Sequence, residues 1–317
     1  HKAICMAGSA ESRWATRPGE AMAAQTIRKA ETLGISKYAN SEELLDKLRQ
    51  IPAEQFAVNL HDRQQEGNVD FETGPCIDGD FLPEPIDALR AKATPKPLLN
   101  GVTKEEGLFL IPGRQLNTTE ALEETFKYAV VGFPTDEAEQ IMAELRRRFI
   151  GDAKPEDSKY MKAQVEMIGD AVFVSAHLKL CRKAVALQTE PIYLYVFEHY
   201  AGPAILGLLG QMIPYHDVTH TNELFYLFKK GFFADIAMTE TDRRVMDTFT
   251  TAFTNFAKYG NPNGSVDSKS VLPVHWDQIT KENPAFNFVF TSEGAKMSND
   301  LFEGRTADFL DILNKHK

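Results

Sequence analysis

Glu106 and His220 are the residues of this 317-residue chain whose placement could support acid–base chemistry. Glu106 follows the short apolar run Pro97-Leu98-Leu99-Asn100-Gly101-Val102, and His220 lies downstream of another, Ile192-Tyr193-Leu194-Tyr195-Val196-Phe197. If both runs are buried strands of one open sheet, the residues beyond their carboxyl ends face a common cleft. A carboxylate that fixes an imidazole is half of a nucleophilic relay, because it holds one ring nitrogen and leaves the other to move a proton. Taken alone, an acidic residue after a strand reads first as a charge at a helix N-terminus. A histidine beyond a second buried strand changes that reading.

Other chemistry-bearing residues fit less well. His216 and His220 have the spacing at which a helix offers two ligands to zinc, with Glu223 nearby. Pro214 and the β-branched Val218, Thr219 and Thr221 oppose a helix there, and no third ligand motif accompanies them, so neither a metal nor another cofactor is expected. His177, sharing a face with Phe173 and Leu180, reads as a satisfied, semi-buried side chain. Cys5, Cys76 and Cys181 lack the C-x-x-C spacing of a metal or redox site and read as buried free thiols. Ser9 lacks the flanking glycines of a nucleophile turn.

The elements that must position Glu106 and His220 are legible from periodicity and breakers. Ala3 to Ala7 suits a short buried strand. Helices are expected from Pro18 to Leu33, with Gly34 just past the end, and from Asn40, paired with Glu43 in a capping box, to about residue 50. Residues 60–96 read as loop, and 119–186 as helix in pieces, broken at Phe133-Pro134, at 151–155 and near Gly169-Asp170. The run 192–197 is apolar on both parities, which argues for burial on both faces of a parallel sheet. A polar loop over 214–221, a long helix from Thr239 to Tyr259 and a last helix over roughly 298–313 complete the pattern. Three strands between helices indicate an α/β protein whose sheet is incomplete. No internal repeat or linker divides the chain, so 1–317 reads as one partial domain.

Composition narrows the function. Lys and Arg number 35 against 45 Asp and Glu, a net charge of −10, and the Arg146 to Arg148 run is flanked by Glu144 and Asp152. That leaves no basic face for a phosphate backbone, so nucleic acid is not an expected partner. The longest apolar-leaning run, 204–213, is far short of a membrane span. Asn117-Thr118-Thr119 and Asn263-Gly264-Ser265 fit the glycosylation sequon.

Five motifs in order resemble type B carboxylesterases, the group that includes cholinesterases. The opening His1-Lys2-Ala3-Ile4-Cys5-Met6-Ala7-Gly8-Ser9 is similar to the strand after that family's nucleophile elbow. Ile77-Asp78-Gly79-Asp80-Phe81-Leu82-Pro83 resembles its D-G-x-F-x-P segment, and Gly101-Val102-Thr103-Lys104-Glu105-Glu106-Gly107 its acid motif G-x-x-x-x-E-G. His220-Thr221-Asn222-Glu223-Leu224-Phe225-Tyr226-Leu227-Phe228 is similar to its H-x-x-E-L-x-Y-x-F, with Pro191 to Phe197 as the strand before it. Phe253-Thr254-Asn255-Phe256-Ala257-Lys258-Tyr259-Gly260-Asn261-Pro262-Asn263 resembles its W-x-N-F-A-x-x-G-x-P-N.

The resemblance implies an α/β-hydrolase fold, represented by the C-terminal part of the sheet and its helices. It also implies a small-molecule carboxylic ester as substrate, and a Ser-Glu-His triad in that chain order. Glu106 and His220 would be the acid and the base, and Leu108, Phe109 and Leu110 candidate lining of a substrate pocket. Export or the ER lumen is the compartment the family favours. The chain departs from the family in lacking any G-x-S-x-G and any His-Gly-Gly run for an oxyanion hole. Its first residues, without Met or leader, read as a cut start, so the serine is expected upstream and the chain by itself is expected to be inactive. The rival reading is a cholinesterase-like adhesion or binding module that keeps the fold and has lost the triad.

Overall fold

The computed structural model describes residues 1–56, 74–187, 189–202, 210–229, 237–265 and 272–316. The front of the expected loop over 60–96 and most of the apolar-leaning run 204–213 lie outside these. The chain forms two compact units, one of residues 1–12 with 94–317 and one of residues 13–93.

The smaller unit holds α1 (Gly19–Thr32), α2 (Ser41–Arg49) and α3 (Ile86–Lys92). Gly34 takes a positive φ of 82° just past α1, the left-handed conformation that glycine adopts without strain. Asn40 caps α2 by accepting from the Glu43 N–H, but the Glu43 carboxylate reaches the Ala39 N–H instead of completing the expected box. Helix α3 falls where loop was expected. It is seven residues long, with Pro85 as its N-cap, too short for periodicity to reveal.

The larger unit is built on five strands in sequence order across one sheet: β1 (Ala3–Met6), β2 (Leu98–Thr103), β3 (Ile192–Phe197), β4 (Asn287–Thr291) and β5 (Gly294–Ser298). The first four run parallel, and β5 returns antiparallel to β4. The sheet thus has two strands more than the sequence indicated. Of the last expected helix, Ser298 ends β5, residues 299–304 are bends and turns, and α10 (Arg305–Asn314) begins only after Gly304.

Helices cover both faces, as a parallel sheet requires. Side chains alternate along β3, so Tyr193, Tyr195 and Phe197 pack with Phe288 and Phe290 of β4 against Phe249, Phe253 and Phe256 of α9 (Glu240–Tyr259). On the other face Ile192, Leu194 and Val196 meet Leu178, Cys181 and Ala184 of α7 (Ser175–Leu187). A separate helical layer joins α4 (Thr119–Val130), α5 (Thr135–Leu145) and α6 (Ser158–Gly169) to α10. The expected break at Gly169-Asp170 is a π-helical turn, Asp170–Val174, that carries α6 into α7 without interruption. Asn263 is buried, its side chain bonded to both backbone groups of Trp276, so that sequon is not accessible in the folded chain, whereas Asn117 is exposed.

Two glycines set the spacing on which the rest relies. A Cβ on Gly101 of β2 would overlap the ring of Tyr195 on the neighbouring strand, and one on Gly107 would overlap the Val165 carbonyl oxygen of α6. Tyr195 is fully buried and cannot yield its place. Overfilling a packed core typically destabilises by 1–3 kcal/mol, so Gly101→Ala is expected to lose about 2 kcal/mol or more. A urea midpoint indistinguishable from that of the parent would show that the β2–β3 interface has slack.

Candidate active site

The loop after β2 and the loop before α8 (Asn222–Phe228) are joined by backbone pairing. Lys104 N–H donates to the Phe197 carbonyl at 3.0 Å and Glu105 N–H to the Val218 carbonyl at 2.9 Å, with a parallel bridge between Glu105 and Thr219. A Lys104–Asp217 ion pair at 2.8 Å adds a side-chain link. Glu106 opens a 3₁₀ turn, Glu106–Leu110, that packs tightly on α6 because Gly107 has no side chain. His220 precedes Thr221, whose φ of 72° is a left-handed conformation that a β-branched residue rarely adopts, so the backbone is strained next to the imidazole.

These constraints bring the two expected site residues together. Glu106 Oε2 lies 2.6 Å from His220 Nδ1, and Glu106 Oε1 accepts from the Thr103 N–H at 2.6 Å. The Glu106 side chain is wholly buried and the His220 side chain is 20% exposed. A carboxylate accepting from Nδ1–H leaves the imidazole lone pair on Nε2, the form that can take a proton from a neighbouring group. Phe173 stacks on the His220 ring at 4.4 Å between centroids and 19° between planes, and Phe109 leans on it at 5.2 Å. Phe173 lies on the π-helical turn, which sets its register relative to α6 and α7.

Burial alone would pull the His220 pKa down, but the Glu106 charge and its hydrogen bond outweigh it and hold the imidazole above its ordinary value. Glu223, in the first turn of α8, is buried, and its Oε2 has no hydrogen-bond partner among the described residues. Burial first, and then the Glu106 charge, push its carboxyl up to about 8, so it carries its proton at neutral pH and does not compete with Glu106 for the imidazole. His177 is fully rather than partly buried. Its Nδ1 meets Asn100 Oδ1, and burial pushes it down to about 4, a neutral ring.

Glu105 and Glu106 are neighbours in sequence with different surroundings. Burial, and then the charge of Glu166, push Glu105 up to about 7 against the pull of Arg305 and Lys162. It faces Lys162 at 3.9 Å and Tyr215 at 3.3 Å, away from the imidazole. Of the three pocket candidates, Phe109 touches the histidine. Leu108 is buried among Ile111, Leu116, Val165 and Ile168, and Leu110 packs against the same cluster. His216 is apart from the Glu106 pair, with Nε2 on the Gly210 carbonyl at 2.7 Å. Sequence reasoning did not assign Phe173 or Glu223 to the site. The H-x-x-E-L motif contained Glu223, but only its burial beside Glu106 gives it a part.

Comparison with known proteins identifies a family. The sequence profile of the carboxylesterase family matches residues 1–307. The chain is 31% identical over 308 residues to esterase cest-33 of Caenorhabditis elegans, covering 95% of this chain and 54% of that protein. It is 26% identical over 289 residues to a cholinesterase of Mus musculus, covering 86% and 45%. A bile salt-activated lipase of Homo sapiens is 26% identical over 222 residues, covering 67% and 28%. The chain therefore spans about half the length, or less, of these curated relatives.

The opposed effects on His220 can be separated by Glu106→Gln, which removes the charge and keeps the burial. In the parent, the His220 pKa read by NMR is expected above about 6.5, and in the variant below it. Stability should follow with opposite signs. In the parent the pair stabilises fully below about 6.5 and less as pH rises through the folded-state pKa, whereas in the variant acid becomes destabilising. A His220 pKa that stays raised in Glu106→Gln would mean that Glu106 is not its source.

Proposed function

Since the chain belongs to the carboxylesterase family, whose α/β-hydrolase fold its sheet carries, we propose that it is part of a carboxylic-ester hydrolase in which Glu106 and His220 are two members of a Ser-Glu-His relay. The observation that carries this reading is the 2.6 Å contact between Glu106 Oε2 and His220 Nδ1 in a site walled by Phe109 and Phe173. His220 Nε2 takes the proton of a serine hydroxyl as its oxygen attacks the ester carbonyl, then returns that proton to the departing alcohol. Glu106 keeps the ring in the required tautomer and balances the imidazolium while it lasts. The same two steps with water in place of the serine release the acid. Phe109 and Phe173 form apolar walls beside the reacting atoms, and Leu108 and Leu110 support Phe109 from the core side.

Residues 1–317 contain no G-x-S-x-G, so this reading places the serine in sequence preceding residue 1. The chain's coverage of only about half of each relative's length leaves room for such a segment. By itself the chain then has a base and its orienting acid but no nucleophile for them, and no triad turnover is expected of it.

A fluorophosphonate applied to the longer protein should label an elbow serine, located by peptide mass spectrometry. His220→Ala in that protein should lower kcat for a simple ester by about a thousand-fold or more. Retained turnover would remove His220 from the role. A longer protein with no labelled elbow serine would favour a binding module over an enzyme.

A further inference from the structure

A second histidine–carboxylate pair lies beyond the ends of β3 and β4, and it is completed by a serine. His199 Nε2 is 2.7 Å from Asp242 Oδ1, and His199 Nδ1 is 2.8 Å from Ser292 Oγ. We propose that Ser292 is a reactive hydroxyl, with His199 as its general base and Asp242 orienting that base, and that it accepts an acyl group from small activated esters.

The direction of each hydrogen bond follows from Asp242. Its Oδ2 accepts from the Thr239 N–H at 2.7 Å and from the Thr239 hydroxyl at 2.6 Å, and its Oδ1 is also within 3.4 Å of the Tyr226 hydroxyl. Burial opposes its charge, but the bonds from Thr239 and His199 outweigh it and hold the carboxyl below its ordinary value. An ionised Asp242 can only accept, so His199 Nε2 carries a hydrogen, and in the neutral ring, the form that acts as a base, Nδ1 then carries the lone pair. The Ser292 hydroxyl therefore donates to Nδ1, the polarity of a base poised to remove a proton. The ring nitrogens are exchanged relative to the Glu106–His220 pair, where the carboxylate holds Nδ1.

The surroundings differ along this relay in the way the chemistry needs. His199 is 3% exposed and lies edge-on to Phe197 and Tyr226, so the imidazole is shielded from water. Ser292 is exposed, in the two-residue turn between β4 and β5, where Thr291 and Gly294 form the last pair. In the reaction Ser292 Oγ bonds to the ester carbonyl carbon, the carbon–oxygen bond to the leaving group breaks, and the hydroxyl proton passes to His199 Nδ1 and on to the departing oxygen. Asp242 balances the imidazolium in between. An exposed turn encloses no substrate, so a single acylation is expected, without turnover and without selection of the acyl group.

The test treats the 317-residue chain with p-nitrophenyl acetate and maps the acetyl groups by peptide mass spectrometry. One acetyl on Ser292, removed by alkaline hydroxylamine as an oxygen ester is, supports the proposal. Asp242→Asn should slow that acylation by about a hundred-fold, because the amide can donate to Nε2 and displace the lone pair from Nδ1. Because Asp242 also caps α9, a second variant guards against misfolding. In Ser292→Cys, an exposed substitution, iodoacetamide should alkylate residue 292 about tenfold faster than Cys76 at neutral pH, since His199 raises the thiolate fraction. No acetyl on Ser292, equal acetylation in urea-unfolded chain, or a residue 292 thiol no faster than Cys76 would each overturn it. The adduct is assigned by position, so this outcome is independent of whether an elbow serine reacts in the longer protein.

Discussion

A carboxylate taken wholly out of water must find its solvation in the protein, and the structure around Glu106 is organised to supply it. One oxygen takes a backbone N–H from Thr103 and the other takes the imidazole of His220. Each partner depends on a longer chain of constraints. Thr103 is in place because β2 and β3 pair in register from Leu98 with Ile192 to Thr103 with Phe197, which levels their ends and lets Lys104 bond back to Phe197. His220 is in place because its loop is paired at Glu105 with Val218 and Thr219, and held again by Lys104 with Asp217. Gly101 allows the two strands to pack around Tyr195, and Gly107 allows the 3₁₀ turn to close on α6.

How much of this the sequence revealed depended on how local each cause was. Strand β3 was legible because it is apolar on both parities, and β2 because a short apolar run gives way to the polar cluster Thr103 to Glu106. β4 was not, because Asn287-Phe288-Val289-Phe290-Thr291 is five residues long and its burial comes from distant partners, with Trp276 stacked on Phe288 at 4.7 Å. β5 reads Gly294-Ala295-Lys296-Met297-Ser298, with no alternation strong enough to mark a strand. The late start of α10 has a backbone cause: Phe302, Glu303 and Gly304 all have positive φ, which ends any helix drawn through them. At the site, Glu106 and His220 could be named because order and motif carry them. Phe173 and Glu223 could not, because stacking on a ring and burial beside a charge are properties of the folded environment.

The adjacent residues Glu105 and Glu106 show how far environment outweighs residue type. Both are buried, yet Glu105 faces a mixed group of Lys162, Glu166 and Arg305, with Arg305 tied to Asp170 at 2.8 Å, whereas Glu106 has an N–H and an imidazole to itself. Burial and the charge of Glu166 push Glu105 up to about 7, so that near neutral pH it is only partly ionised, while Glu106 has two directional hydrogen-bond partners. Glu223 extends the same logic. Protonated, it keeps a third acid beside the pair from adding a second negative charge to the site.

The two histidine–carboxylate pairs differ in which ring nitrogen the carboxylate holds, and the difference traces to where each acid stands. Glu106 rises from the end of β2 and reaches His220 through Nδ1, so the free lone pair is on the nitrogen farther from the backbone, where a separate hydroxyl can approach it. Asp242 sits in the first turn of α9 with one oxygen committed to the Thr239 cap, and it reaches His199 through Nε2. That leaves the nearer nitrogen to face the β4–β5 turn, where it is bonded to the hydroxyl that turn supplies, Ser292. On the proposed reading, the base of the first pair serves a partner from elsewhere. In the second, the local chain provides the partner.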